Sequence, residues 1–588
     1  MLKKLSLLLW VILPFALSAC QGGSQATPTL DTPVTEQPTA TAEPLVQTPT
    51  VEEAVAPTPT PTEAPANEIV VSTEMDIVDG DTTDFDALAA SPGGDGLISL
   101  REAVLAANQT PGPKRISFSA EMMGKTLYLG QPQRYEEPRL LITNDQLVLD
   151  GDVDGDGGSD ITLDGSVVDW NHSSAFILSA SQLTIENLQF NGFQNFAIAI
   201  ACVDDQCADR TYEGITIRNN AIFSDTGGGG VILTPLKIVA GMADPVLFSN
   251  ISISNIQILN NTIAVSNGGN GGIFLMGAGS GGSDNHLTDI LIQENTVSSP
   301  GATITINAAD GSSRYFQLPG DELFSDRNLV ERVVISSNVL DPVGVGGDSA
   351  RPSGIVMVAG NYGNSDNVIR DVVISNNEVS ANAEHLAVFY ATNNDVLASL
   401  PVTGRAATGN VIENLELVAN TSYADTSAFS LIACSGQDPA PQGATGQISH
   451  VWIHDNQILD YRWEGIDIFA GVGENNSLIE DVRIEDNIFT ALDITKGQAL
   501  FIYAGGCSGC TRSSDGNRIQ SLVIQGNTVN SNDFIFMYGG MEEYASNNTV
   551  TYYLGENVLN PLDARMDIVD FVAKENFGNQ VIALEEMP

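Results

Sequence analysis

The sequence predicts an all-β solenoid, a right-handed parallel β-helix of about ten or eleven coils with a short N-terminal helical cap. The phrase apolar-x-apolar-x-x-Asn occurs ten times in the 588 residues. Its apolar positions alternate with period two, as Val372 and Ile374 do before Asn377, and this alternation indicates a strand with one buried face. The ten phrases end at Asn220, Asn261, Asn295, Asn338, Asn377, Asn420, Asn456, Asn487, Asn527 and Asn557.

Each phrase is followed by a second short strand and a polar loop, at spacings of 30 to 43 residues. Because a strand cannot bury its face alone, such rungs stack, at ~4.8 Å from coil to coil. Asn tolerates left-handed backbone and bonds nearby backbone groups, so we interpret the Asn residues as internal ladders at coil corners. In six phrases a second Asn lies ten residues upstream: Asn285, Asn328, Asn367, Asn410, Asn517 and Asn547.

On these repeats, residues 145–560 resemble the right-handed parallel β-helix, or pectate-lyase-like, superfamily. That superfamily holds lyases, hydrolases, adhesins and binding proteins, so the resemblance implies a fold and does not select a function. The expected divisions are a signal peptide at 1–19, a tether at 20–68, a cap region at 69–145, the β-helix at 146–560 and a closing segment at 561–588.

The N-terminus resembles a bacterial lipoprotein signal. Lys3 and Lys4 precede an apolar run, and Leu17-Ser18-Ala19-Cys20 matches a lipobox, whereas the run is too short and too terminal to span a membrane. The resemblance implies lipidation of Cys20; an ordinary secretory signal is the alternative. The Thr/Pro-rich residues that follow cannot form a core and read as a disordered tether. We therefore expect a lipid-anchored protein at the extracellular face of the cell envelope.

A segment ahead of the repeats predicts the cap. Ser99-Leu100-Arg101-Glu102-Ala103 is similar to the region named for the peptide Cys-Ser-Leu-Arg-Glu-Ala, which precedes β-helices in bacterial surface proteins, with Ile98 in place of the Cys. Leu100, Val104 and Ala107 would share one face of an amphipathic helix. That face could cover the open end of the first coil, whose strand edges would otherwise invite aggregation.

Charge narrows the range of partners. Without Lys3 and Lys4 the chain has 22 basic and 73 acidic residues, a formal charge of −51, which excludes nucleic-acid binding and disfavours unmediated binding of polyanions. Solubility explains the charge, or divalent cations offset it. In D-G-D-V-D-G-D-G-G-S-D, which begins at Asp150, carboxylates occupy positions 1, 3, 5 and 9 of an EF-type calcium loop when the loop is counted from Asp152, but Leu163 replaces the final Glu. The expected Ca²⁺ ligands are Asp152, Asp154, Asp156 and Asp160; an acidic turn is the alternative.

The cysteines predict local disulfides. Cys202 and Cys207 bracket a tight loop, and Cys507 and Cys510 form C-S-G-C. In an exported chain both pairs favour disulfides over zinc or redox sites. Cys434 is expected to be a buried thiol, although pairing with Cys507 or Cys510 is an alternative.

One outward surface carries the candidate chemistry. The repeat register predicts that Glu416, Trp452 and Arg483 lie side by side on neighbouring strands, next to Val418, His454 and Glu485. An aromatic face beside charged groups suits a pyranose ring and its hydroxyls. Trp452, Arg483, Glu416 and Asp467 are the candidate ligand-binding residues, Asp467 extending the patch around a corner.

The same surface could hold an acid and a base. Glu416, His454, Arg483 and Glu485 are the candidate catalytic residues, although the motif clusters of known β-helix polysaccharide enzymes are missing. A purely structural alternative is an Arg483–Glu416 pair with Trp452 packed beneath a loop.

The functional prediction is a monomeric surface lipoprotein that binds carbohydrate or a cell-surface polymer. The alternatives are a polysaccharide lyase or glycoside hydrolase, and a structural adhesin or envelope spacer.

Overall fold

The computed structural model describes residues 67–130, 139–166, 174–202, 208–225, 228–237, 249–266, 271–278, 281–309, 324–343, 352–361, 363–393, 405–436, 443–506, 512–540, 545–561, 564–571 and 578–588. Three long parallel sheets make up the molecule, and we call them sheets A, B and C. Strands are numbered in chain order.

Sheet A has fifteen strands and contains the apolar part of every Asn phrase. Its strands are β1 (Glu68–Val71), β2 (Lys114–Phe118), β5 (Leu147–Asp150), β8 (Thr184–Glu186), β11 (Thr211–Arg218), β14 (Ser252–Leu259), β17 (His286–Gln293), β20 (Leu329–Ser336), β23 (Val368–Ser375), β26 (Asn410–Val418), β29 (Gly446–His454), β32 (Leu478–Glu485), β36 (Arg518–Gln525), β40 (Thr549–Leu554) and β43 (Gln580–Ala583).

Sheets B and C have thirteen strands each. Sheet B consists of β3 (Thr126–Tyr128), β6 (Ile161–Asp164), β9 (Leu188–Asn191), β12 (Ala221–Ser224), β15 (Thr262–Val265), β18 (Thr296–Ser299), β21 (Val339–Pro342), β24 (Glu378–Val379), β27 (Thr421–Ser422), β30 (Gln457–Tyr461), β33 (Ile488–Ala491), β37 (Thr528–Asn530) and β41 (Val558–Leu559). Sheet C consists of β4 (Leu140–Ile142), β7 (Phe176–Leu178), β10 (Ile198–Cys202), β13 (Val231–Lys237), β16 (Ile273–Met276), β19 (Ile304–Asn307), β22 (Ile355–Asn361), β25 (His385–Asn393), β28 (Ser427–Ser435), β31 (Glu464–Val472), β34 (Gln498–Gly506), β38 (Asp533–Gly540) and β42 (Arg565–Phe571).

The chain passes through sheets A, B and C in turn, so three consecutive strands make one coil. This confirms the predicted parallel β-helix. The described residues contain thirteen strands in sheet C, more coils than the ten or eleven expected, because the earliest coils lack the Asn phrase by which coils were counted. Two further strands, β35 (Ser514–Asp515) and β39 (Ala545–Ser546), pair on their own beside the later coils.

The ten phrase-ending Asn residues form one continuous ladder between sheets A and B. The amide nitrogen of Asn420 donates to Oδ1 of Asn456 at 3.0 Å, and Asn456 donates in the same way to Asn487 at 2.9 Å. Each also bonds a backbone carbonyl, as Asn456 does with Leu417 at 2.8 Å. The left-handed residue of the corner is the one before the ladder Asn, for example Asp455 with φ 55°. The ladder Asn residues therefore contribute amide bonds, whereas their neighbours make the turn.

A second, shorter ladder lies between sheets C and A. Asn285 bonds Asn328, and the series continues through Asn367 to Asn410. Near the C-terminus it resumes, but the residue that accepts from Asn517 is Asn548, not the expected Asn547. The reason is a register shift between β36 and β40, which leaves β40 one residue shorter along this edge.

The inner faces of the three sheets enclose one apolar core. Alternate residues of each strand point inward, so Ile453, Ile484 and Ile524 in neighbouring strands of sheet A are all fully buried. Because every coil repeats this pattern, the core extends along the whole described solenoid. The alternation that predicted half-buried strands thus has its physical basis in stacked side chains.

Two helices precede the first complete coil, α1 (Phe85–Ala90) and α2 (Leu100–Gln109); a single 3₁₀ turn, Ala120–Met122, follows β2. Ser99 caps α2 by accepting from the backbone N–H of Glu102, whose side chain accepts from Ser99 in return. Leu100, Val104 and Ala107 are buried, and α2 packs against β1, β2 and β4. The predicted helix therefore lies on the first coil.

Both predicted ends of the β-helix differ from the observed ones. Strand β2 already pairs with β5, so the coils begin before the expected boundary at residue 146. At the other end, β42 and β43 continue sheets C and A within the segment expected only to close the solenoid. The Asn phrase marks the corners of coils, and coils without it were assigned to the flanking segments. In the part of the chain that is described, no helix is long and apolar enough to cross a membrane.

Candidate functional site

The predicted row of outward side chains lies on sheet A. Residues Glu416 of β26, Trp452 of β29 and Arg483 of β32 are direct partners in neighbouring strands. Val418, His454 and Glu485 form the next outward row. The ladder Asn fixes this register, because it ends each of these three strands at the same corner. We call these side chains the Trp452 surface.

Trp452 is held in place although 43% of it is exposed. Its indole N–H donates to Oε2 of Glu485 at 2.9 Å. Its ring stacks on the His454 imidazole, with 3.8 Å between centroids and 24° between planes. The Trp452 ring is therefore a fixed platform with part of its surface exposed, and it is not packed beneath any loop that the structure describes.

His454 lies beneath the exposed Trp452 ring, on which it stacks. It is buried, and its Nε2 lies 3.1 Å from Oε1 of Glu416 while its Nδ1 lies 2.8 Å from Oδ2 of Asp455. Two carboxylates on opposite sides of the imidazole fix its orientation. The Glu416 carboxylate thus contacts His454, and the Arg483–Glu416 ion pair considered from the sequence is not formed.

Arg483 completes the polar edge of the surface. Its Nε lies 3.9 Å from Oδ1 of Asp481, and its side chain is partly exposed. Glu485, the acceptor for Trp452, also accepts from the amide of Gln525 at 2.9 Å. An exposed indole bordered by guanidinium, carboxylate and amide groups can stack on a sugar ring and bond its hydroxyls.

Asp467 does not extend the Trp452 surface. It lies in β31 of sheet C, points outward from the core and is only 5% exposed. The two residues belong to the same coil, but β30 of sheet B separates their strands along the chain. Instead of joining the Trp452 surface, Asp467 belongs to a second group of polar residues, the Asp467 cluster: His385, Ser427, Glu464, Asp467 and Gln498.

The Asp467 cluster gathers polar groups from four consecutive coils. Nδ1 of His385 lies 2.6 Å from Oγ of Ser427, and the Ser427 hydroxyl acts to lower the pKa of Asp467. In the next coil the amide of Gln498 donates to Oε1 of Glu464 at 3.1 Å. Oδ1 of Asp467 is buried and has no hydrogen-bond partner among the described residues. The cluster therefore contains two hydrogen-bonded pairs, and one carboxyl oxygen of Asp467 beside them is not satisfied.

Burial changes the proton affinities in this cluster. Burial, and then the neighbouring Glu464 carboxyl, raises the pKa of Asp467 well above its ordinary value. Burial also raises the pKa of Glu464 to about 7 and lowers the pKa of His385 to about 4. A carboxylic acid that keeps its proton near neutral pH can act as a general acid. His385, by contrast, is neutral there.

Sequence reasoning singled out Asp467 but missed its partners. His385 and Ser427 each lie in an earlier coil, at the start of β25 and β28, and they meet because the strands are in register. An alignment of the sheet C strands would bring these residues together. The sequence does not give that alignment directly, because sheet C lacks the invariant Asn that aligns sheet A.

The acidic loop after β5 brings three of its four predicted calcium ligands together. One ligand oxygen from each of Asp152, Asp154 and Asp156 lies within 4.8 Å of the others. Asp160 takes a different part, because its Oδ2 accepts from the backbone N–H of Val153 at 2.8 Å. Carboxylate oxygens at this spacing fit a hard divalent cation. Calcium binding by this loop stays a prediction.

Of the six cysteines, Cys202 and Cys434 lie within the described residues. Cys202 is disulfide-bonded, whereas its expected partner Cys207 lies outside the described residues, as do Cys507, Cys510 and the lipidation candidate Cys20. Cys434 is a buried thiol in β28.

No protein-family model matches the chain, and no curated protein does. Several solved structures share its architecture. The mannuronan C-5 epimerase A-module of Azotobacter vinelandii is 11% identical, with a TM-score of 0.34, over 83% of this chain and 93% of the other. An exopolygalacturonase from Thermotoga maritima is 11% identical, with a TM-score of 0.36, over 71% and 84%. A surface adhesin of Streptococcus pneumoniae is 10% identical, with a TM-score of 0.27, over 75% and 89%. Likeness at this level carries no functional argument.

Proposed function

We propose that this chain is a cell-surface lipoprotein whose β-helix binds carbohydrate through the Trp452 surface. The observation that carries the proposal is that Trp452 is both exposed and immobilised, by Glu485 through its N–H and by His454 through its ring. Because the side chain is already ordered, stacking a sugar on it costs little conformational entropy. Arg483 and Glu485 lie beside the indole and can bond sugar hydroxyls.

The test compares glycan binding by the wild-type chain and by Trp452→Ala on a glycan array, followed by titration of the best ligand. We expect affinity to fall about tenfold, since loss of an aromatic stacking contact costs about 1.4 kcal/mol. Tyr128→Ala is the matched control, because Tyr128 is also 43% exposed but lies in the first coil. Equal binding by both variants and the wild type would remove the Trp452 surface from consideration.

The lipid anchor is a separate part of the proposal. Its support is the lipobox Leu17-Ser18-Ala19-Cys20 followed by a Thr/Pro-rich tether. We expect Cys20→Ala to move the protein from the membrane fraction to the soluble fraction of cells, while Cys434→Ala leaves it membrane-bound. Equal partition of the Cys20→Ala variant and the wild type would contradict the anchor.

A second candidate function is hydrolysis of a glycosidic bond at the Asp467 cluster. The observation in its favour is that Glu464 and Asp467 both hold protons more tightly than ordinary carboxyls, as a general acid requires. In such a reaction the Glu464 proton would pass to the leaving oxygen as the C–O bond breaks. A water molecule would supply the hydroxyl of the other product, and its remaining proton would restore the Glu464 carboxyl.

This candidate is tested by measuring new reducing ends with neutral and acidic polysaccharides. Glu464→Gln should abolish release but keep the binding that depends on Trp452. Activity that survives Glu464→Gln would exclude Glu464 as the acid. The third candidate function is a structural adhesin or spacer. It predicts that neither the Trp452→Ala assay of binding nor the Glu464→Gln assay of cleavage reveals an effect on carbohydrate.

A further inference from the structure

The outer face of sheet C changes character along the solenoid. In β25 and β28 the outward residues, such as Val388 and Ser430, are buried. From β31 onward, aromatic side chains occupy outward positions, and three of them, Phe469, Phe501 and Phe536, are partly exposed. The outward aromatic residues of β31, β34 and β38 are Phe469, Phe501, Tyr503, Phe536 and Tyr538.

These rings support one another in a continuous track. Phe469 stacks on Tyr503 with 4.2 Å between centroids, and Phe501 meets Tyr538 edge to face at 6.1 Å. The Arg565 guanidinium lies 4.8 Å from the Phe536 centroid. Successive strands are ~4.8 Å apart, so a polymer lying along the axis would meet aromatic surface in each of these coils.

The track begins beside polar groups whose hydrogen bonding is incomplete. Asp467 and Phe501 are direct partners in neighbouring strands, as are Phe501 and Phe536. Oδ1 of Asp467 is buried, without a partner among the described residues, and such an atom in a folded protein calls for an explanation. Because the atom is buried, a ligand hydroxyl on the track would satisfy it only after the carboxyl group turns towards the outer face. Trp463, 57% exposed, precedes Glu464 at the edge of the same surface.

Charge selects among ligands. The cations around this surface already have carboxylate partners: Arg462 with Asp425 at 3.2 Å, Arg565 with Asp567 at 3.0 Å and Lys496 with Asp493 at 3.3 Å. Glu464 and Asp467 can add only negative charge. A polymer that carries carboxylates or sulfates would therefore be repelled, and the strongly acidic chain as a whole adds to that repulsion.

We propose that the outer face of sheet C from Asp467 to Phe536 binds an uncharged polysaccharide lying along the axis of the solenoid. This surface is separate from the Trp452 surface. It shares Glu464 and Asp467 with the hydrolase candidate, for which it would define the substrate class, but it requires binding alone.

The experiment uses the full chain carrying Trp452→Ala, so that the Trp452 surface cannot contribute. Binding is titrated with a soluble neutral β-glucan, a neutral α-glucan and polygalacturonate. We expect at least one neutral polymer to bind and polygalacturonate to bind at least tenfold more weakly. Adding Phe536→Ala should weaken neutral-glucan binding about fivefold, with Phe536→Leu as a second variant that keeps apolar packing but removes the ring.

Phe274→Ala is the matched control, because Phe274 is a partly exposed outward aromatic residue of sheet C in an earlier coil, where it packs on Phe196. It should leave binding unchanged. The proposal is overturned if the Trp452→Ala chain binds none of the neutral polymers, prefers polygalacturonate, or responds equally to Phe536→Leu and Phe274→Ala. Failure of the Trp452 surface would show differently, as equal glucan binding with and without Trp452.

Discussion

Trp452 and Asp467 lie on the same coil, yet the environments of the Trp452 surface and the Asp467 cluster are opposite. Trp452 faces outward from β29 and is 43% exposed, whereas Asp467 faces outward from β31 and is 5% exposed. The polar groups around Trp452 pair across neighbouring strands in contact with solvent. Asp467, His385 and Ser427 are buried, and the pKa values of Asp467 and His385 depart far from ordinary ones.

This difference shows that "outward" has two meanings in a solenoid. Alternation along a strand separates the core side from the other side, but it does not say whether the other side meets solvent. On sheet A the outward side chains suit recognition of a ligand at the surface. On sheet C the same strand position gives a carboxyl group that keeps its proton, which is a property for acid chemistry.

The largest expected effect would break both regions at once. Asn456 follows β29 and precedes β30, so it fixes the coil that carries Trp452 and Asp467. Asn456→Ala removes bonds to Leu417, His454 and Asn487 and leaves buried groups unsatisfied. We expect the free energy of unfolding to fall by about 3 kcal/mol, measured by chemical denaturation.

The matched control for Asn456→Ala is Asn382→Ala, because Asn382 is exposed and its side chain bonds only Asp341 among the described residues. Its expected cost is below about 0.5 kcal/mol. Similar losses in the two variants would mean that the ladder contributes no more than a surface amide.

Measuring stability against pH would test the Asp467 cluster separately from the Trp452 surface. The folded pKa of His385, about 4, is below its ordinary value of 6.5, so stability from the neutral ring is lost as pH falls from about 6.5 towards 4. For Glu464 the folded pKa is raised from 4.5 to about 7, so the stability from its protonated form is lost as pH rises through that range.

Melting temperature against pH tests this expectation. Glu464→Gln should remove part of the loss on the alkaline side, by about 2 °C, and His385→Gln part of the loss on the acid side. Glu378→Gln, an exposed carboxylate in sheet B, should keep the wild-type profile. A Glu464→Gln profile that matches the wild type at every pH would contradict the account of the Asp467 cluster.

The smallest expected effect lies far from both regions. If the loop after β5 binds calcium, millimolar Ca²⁺ should raise the melting temperature by about 1–2 °C, and Asp154→Asn should remove that increase. Carbohydrate binding at the Trp452 surface should not respond to the chelator. The control is Asp95→Asn, which alters an exposed carboxylate in the cap. An equal calcium response in all three chains would exclude this loop as the site.

The sequence predicted the features that depend on the Asn ladder. The partners Glu416, Trp452 and Arg483 are in the expected register, because a buried amide at the same corner aligns their strands. It did not predict the Asp467 cluster, since sheet C has no such marker and His385 comes from two coils earlier. It also placed Asn547 in the second ladder instead of Asn548, because one residue is lost from β40.

The Asn ladder also has a direction. In all nine consecutive pairs, the amide nitrogen of one Asn donates to the carbonyl oxygen of the Asn one coil later. Aligned dipoles in a hydrogen-bonded chain polarise one another. The ladder is therefore a chain of aligned side-chain amides whose N–H groups point towards the C-terminus. Loss of an amide in the middle divides this hydrogen-bonded chain into two shorter chains, whereas loss of an amide at one end only shortens it. The coil of Trp452 and Asp467 thus gains rigidity from coils that contact neither residue.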